Sequence, residues 1–121
     1  MSTASYHETM SSSLRGHERI DQRSLELHRA IAEKLRSNPE LLAIARDNLD
    51  RWSRQSDRSQ PYFDAWRAML DMPLEDLLAR IVDPGEKMTA MRQTNPFAGI
   101  LSPRERWEIY ERFRPAAPED K

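Results

Sequence analysis

The side chains best suited to chemistry in this chain are three histidines, a scatter of serines and a few carboxylates. None of them falls into a catalytic spacing. His7, His17 and His28 would have to build any metal site with carboxylates alone, because cysteine is absent. Two imidazoles share a metal on one helix when they sit three or four residues apart and project from the same face. No pair of these histidines has that spacing. His28 lies alone in a helical stretch and reads as a half-exposed helix residue. A nucleophilic serine needs a base held against it. The serines here fall in the N-terminal stretch, in linkers and at helix starts, where capping already accounts for them. Glu75 and Asp76 are neighbours on a helix and therefore face apart. The glycines at 16, 85 and 99 are scattered, so no loop cradles a phosphate. These readings set an expectation of no catalysis, no cofactor and no bound metal.

Composition bounds the remaining classes. A chain of 121 residues holds one ordinary domain. Its apolar share of 38% lies below the usual ~45–50%, and 32% of its residues are charged, which suits a small helical domain with a well-solvated surface. The formal net charge of −1 gives no general attraction to nucleic acid or to an anionic membrane. No segment has the length and apolarity of a membrane span, and the first residues lack the apolar core of a secretory leader. The expected location is the cytoplasm. Positive charge is carried by sixteen Arg against three Lys. Arginine suits forked contacts to carboxylates and stacking on aromatic rings, although GC-rich coding produces the same bias.

The periodicity predicts the elements that must position any site. Residues 1–19 show no sustained apolar period and read as a flexible tail, in which Tyr6, Met10 and Leu14 could anchor on a partner. Residues 20–114 read as one helical domain, and 115–121 as a frayed C-terminal tail. Ile20, Leu27, Ile31 and Leu35 mark the face of a first helix ending near Arg36. Asn38-Pro39 opens a second, with Leu42, Ala45, Leu49 and Trp52 inward. Its outer face carries Arg46, Asp47, Asp50, Arg51 and Arg54. After a polar linker over 53–60, Pro61 opens a third helix with Phe63, Trp66, Met69 and Leu70 inward. Leu74, Leu77, Leu78, Ile81 and Val82 form the most apolar stripe and are expected at the centre of the core. A fifth helix is expected from Pro84 to about Gln93, and a last one from Pro103 to Phe113. No run alternates with the two-residue period of a strand. The expected fold is all-α: a single bundle of five or six short helices.

Between the last two helices the pattern breaks. Asn95 precedes Pro96 and is pushed out of the helical region. Gly99 opens a backbone conformation closed to its neighbours. Ser102-Pro103 then restarts a helix with Ser as N-cap and Pro at the first position. A loop containing Phe97, Ile100 and Leu101 must either plug its own core or dock on a partner. The docking reading names Arg92, Asn95, Phe97, Ile100, Arg104, Arg106 and Trp107 as partner-binding residues, with aromatic and aliphatic anchors ringed by arginine. The plug reading buries Phe97 and Trp107 instead. A helix-turn-helix DNA-binding regulator is the alternative class. It needs a basic recognition helix, but Glu105, Glu108 and Glu111 interleave with the arginines of the last helix.

The segment Asn95-Pro-Phe-Ala-Gly-Ile-Leu-Ser-Pro-Arg-Glu-Arg-Trp-Glu-Ile-Tyr110, with Leu-His-Arg-Ala-Ile-Ala-Glu-Lys-Leu at 27–35, resembles small bacterial all-helical proteins, among them antitoxin components of toxin–antitoxin pairs. The resemblance spans about residues 24 to 114. It implies a non-catalytic protein that binds and blocks a co-encoded toxin, without a separate DNA-binding part.

Overall fold

A computed structural model describes the backbone of residues 2–55 and 60–114, and side chains at residue 16, over 18–55 and over 60–114. The elements are α1 (Ser2–Ser37), a 3-10 turn (Pro39–Leu41), α2 (Leu42–Gln55), α3 (Gln60–Leu70), α4 (Leu74–Ile81), α5 (Glu86–Met91), a second 3-10 turn (Arg92–Thr94) and α6 (Pro103–Arg112). The all-α expectation is met, with six helices and no strand among the described residues. The backbone of α1 runs without a break across residue 19. The anchors named for the 1–19 tail, and the 115–121 tail itself, lie outside the described side chains and residues. Among the described residues, no helix is long and apolar enough to cross a membrane.

Helix α4 packs chiefly on α1, α2 pairs with α3, and α6 lies along α1. Leu77, Leu78 and Ile81 of α4 are almost fully enclosed, which puts this most apolar stripe at the centre as its pattern predicts. Leu74 and Val82 pack at its margin, as do Leu27 and Leu42, which the sequence reading places in the core. From α3, Phe63, Trp66, Met69 and Leu70 are buried, all four on the expected face. In α1 the buried stripe is Leu25, His28, Ile31, Ala32 and Leu35, a three-four repeat rotated from the expected one. Ile20 consequently stands 53% exposed, and His28 is buried, where the sequence reading left it half-exposed.

The helix starts show which local signals the fold uses. Ser102 accepts from the Glu105 N–H at 3.1 Å, and Glu105 Oε1 accepts from the Ser102 N–H at 2.6 Å, a complete capping box ahead of Pro103. Asn38-Pro39 opens only the 3-10 turn, and Asn38 makes no side-chain cap bond. Asp83 accepts from the Gly85 N–H at 2.7 Å, so a local turn consumes Pro84 and α5 begins at Glu86. The fifth helix is thus shorter than the expected Pro84–Gln93, closing in a 3-10 turn over Arg92–Thr94.

Candidate protein-binding face

The loop after Thr94 is built inward. Asn95 Nδ2 donates to the Arg92 carbonyl at 2.9 Å, and its Oδ1 accepts from the Phe97 N–H at 2.9 Å. Gly99, at φ 96°, supplies the left-handed residue that lets the chain double back toward Ser102. The buried Asn48 of α2 fastens the loop from beneath. Its Nδ2 donates to the carbonyls of Pro96 at 2.8 Å and Ala98 at 2.9 Å, while Arg51 donates to its Oδ1 at 2.8 Å. Backbone polar groups that leave regular structure and enter a core need such partners. Phe97 then stands between two rings, edge-on to Trp66 at 5.4 Å and to His28 at 5.7 Å. Trp66 Nε1 donates to Thr94 Oγ1 at 3.2 Å, tying α3 to the start of the same loop.

This placement turns four of the seven expected partner-binding residues into the domain itself. Phe97 and Ile100 are each 2% exposed and belong to the main core cluster, together with Leu101. They are the plug and cannot enter a partner's pocket. Arg92 is buried as well. Its Nη1 donates to the carbonyls of Ile81 at 3.1 Å and Asp83 at 2.7 Å, and its Nη2 to Thr89 Oγ1 at 3.2 Å. It therefore caps the C-terminus of α4, where carbonyls lack helical partners and a cation is favoured. Burial lowers its pKa, with Asp83 and Asp21 opposing. Asn95 is half-buried and its amide is used locally.

Arg104, Arg106 and Trp107 lie on the surface, and here the plug reading fails for Trp107, which is 60% exposed. It sits one turn before Tyr110 on α6, itself 37% exposed. The Arg23 guanidinium lies over the Tyr110 ring at 4.8 Å, and that of Arg106 lies at 5.9 Å. Lys34 of α1 donates to Glu105 at 2.8 Å, and this contact and the Ser102 N–H hold the Glu105 carboxyl below its ordinary pKa. The same bond anchors the start of α6 against α1. Arg104 pairs loosely with Glu108 at 3.6 Å, and Arg114 closely with Glu111 at 2.8 Å.

Tyr110 borders two depressions. One, of about 240 Å³, is lined by Leu27, His28 and Ile31 of α1, by Phe97, Ala98 and Leu101 of the loop, and by Arg106. The other, of about 300 Å³, runs past Ile20, Arg23 and Gln93. His28 donates from Nδ1 to the Ser24 carbonyl at 2.8 Å, which leaves Nε2 as a buried acceptor without a partner among the described residues. Burial lowers its pKa to about 4, so the ring is neutral at neutral pH. Among the described residues no three His, Asp or Glu side chains converge as metal ligands. Arg23 and Tyr110 are the members of this face that the sequence reading left out. The Trp107–Tyr110 spacing could have signalled the tyrosine, whereas only the packing of α6 on α1 brings Arg23 to it.

These features define an all-α domain with an aromatic, arginine-flanked face where its first and last helices meet. No family model matches the chain, and neither the curated proteins nor the solved structures include one with significant similarity to it.

Proposed function

We propose that this chain is a non-catalytic protein-binding module of the bacterial cytoplasm, an antitoxin-like inhibitor that neutralises a co-encoded toxin by occupying it. The supporting observation is Trp107, 60% exposed on α6 one turn before the exposed Tyr110. Tryptophan, tyrosine and arginine are the residue types that dominate binding energy at protein interfaces. A large ring left in water on a small domain is an unsatisfied apolar surface, and a partner that covers it gains what the fold itself forgoes. The inhibitor would act sterically, as a preformed helical body with little ordering cost on binding. Binding moves from the loop to the α1–α6 face, because the loop's apolar side chains hold the core together.

Co-purification from the native operon tests the proposal. A Trp107→Ala, Tyr110→Ala double variant should keep its helical dichroism and weaken partner binding by more than about 2 kcal/mol. A folded double variant that neutralises its partner at full strength would refute this face. Turnover by the isolated chain on nucleotide or RNA would refute the non-catalytic part.

A further inference from the structure

We infer that the cleft between α1, α6 and the 95–101 loop receives one large apolar side chain, carried by an acidic segment of a partner protein. The inference rests on the protein-binding reading and names the chemistry that the face selects. Three observations carry it: the size of the cleft, its lining and the charge at its rim.

The cleft holds about 240 Å³. That is below the ~300–1,000 Å³ of sites that enclose a whole small molecule, and is of a size for a single side chain of a longer ligand. Leu27, Ile31, Phe97 and Leu101 supply its apolar walls, beside polar groups of Ser24, His28, Asn95 and Tyr110. An aliphatic or aromatic group seated there displaces water from Leu27 and from the small exposed edges of the other three. Exposed Ala98 and Gly99 form the lip, so the loop presents backbone and a single methyl at the mouth, and an extended chain can approach closely.

Charge selects the flanks. Arg106 lines the cleft, and Arg23, which lines the neighbouring depression, lies over the Tyr110 ring that the two share. Neither forms an ion pair among the described residues, unlike Arg104, which pairs with Glu108, and Arg114, which pairs with Glu111; Arg112 is also without one. Two guanidinium groups held on a ring and lacking carboxylates are placed to make forked contacts with Asp or Glu on either side of the inserted residue. The chain as a whole carries a formal charge of −1, so this basic rim is a local feature that would steer acidic partners to the cleft.

The test is selection of a phage-displayed random nonapeptide library on the immobilised full-length chain. The expected result is a consensus with one Leu, Met or Phe between acidic residues. The consensus peptide, labelled and titrated, should bind about tenfold more weakly to Arg106→Gln, a change of ~1.4 kcal/mol. It should lose saturable binding to Ala98→Phe, whose ring fills the cleft, and its affinity should fall as salt rises. Both variants are surface changes, and helical dichroism confirms their folding. If Ala98→Phe does not fold, Arg106→Gln alone decides. No enriched consensus, a basic one, or equal binding to both folded variants would overturn the inference. If the cleft fails while the Trp107→Ala, Tyr110→Ala pair still abolishes capture of the operon partner, the protein-binding reading stands without it. If the acidic consensus binds as expected but no operon partner co-purifies, the cleft stands and the antitoxin-like function falls.

Discussion

Replacing Arg92 by Met separates a structural arginine from an interface arginine. The substitution keeps a stem of similar length and removes the guanidinium that bonds Ile81 O at 3.1 Å, Asp83 O at 2.7 Å and Thr89 Oγ1 at 3.2 Å. Hydrogen bonds from a charged donor contribute about 1.5–3 kcal/mol each, so three bonds set a gross loss of roughly 5–9 kcal/mol. Opposing this, the variant no longer buries a cation, a relief of several kcal/mol. Among the described residues the Arg92 Nε also has no partner, which leaves its desolvation uncompensated there. The difference is a net destabilisation of about 2–4 kcal/mol, because the buried Ile81 carbonyl at the end of α4 and the part-buried Asp83 carbonyl both lose their donor. With a urea m-value near ~1.5 kcal/mol/M, a 3 kcal/mol loss shifts the unfolding midpoint by about 2 M, read by tryptophan fluorescence. Arg104→Met, at an exposed position, should change stability by less than ~0.5 kcal/mol. An Arg92→Met protein with an unshifted midpoint and weakened partner binding would refute the capping argument and return Arg92 to the interface.

Three further outcomes follow from the packing. Leu78→Ala, at a position 1% exposed in the centre of α4, should cost roughly 2–5 kcal/mol in urea unfolding, and a variant as stable as the parent would contradict the placement of α4. Asn48→Ala should cost about 2–3 kcal/mol, since it frees the Pro96 and Ala98 carbonyls, and a protease cut at the loop should accompany that loss; an unchanged midpoint would show the loop held by its apolar residues alone. His28 sets a pH dependence: its folded pKa is lowered from 6.5 to about 4, so below pH ~6.5 the unfolded chain binds the proton that the folded one refuses. Stability should therefore fall between about pH 6.5 and 4, by an amount on the order of 3 kcal/mol. His28→Leu should remove that part of the slope, and an identical acid profile in both proteins would contradict it.

The candidate face shows why sites are harder to read than helices. Trp107 and Phe97 carry the same sequence-level signal, an aromatic residue among arginines near a proline. The structure sends one into water and the other between Trp66 and His28. Arg92 and Arg106 are equally indistinguishable in the chain, yet one closes a helix end and the other rims a cleft.

The sequence by itself determined the all-α class, most of the helix boundaries and the inward faces of α3 and α4. These depend on interactions a few residues long: three-four apolar spacing, a proline at a helix start, and Ser102 with Glu105 closing a capping box. It also marked the 95–101 segment as an apolar loop, through Pro96 and Gly99. Only the tertiary structure decided which way that loop faces, because the deciding bonds come from distant parts of the chain. Asn48 on α2, a polar residue that the helical pattern assigns to neither face, holds its carbonyls. His28 on α1 turns inward because the α1 face rotates to meet α4 and the loop, and a neutral imidazole that donates to the Ser24 carbonyl can be buried there. Periodicity fixes a helical face only to within a residue or so of rotation. The final angle, and with it the burial of every marginal side chain, is settled by what the other helices bring against it.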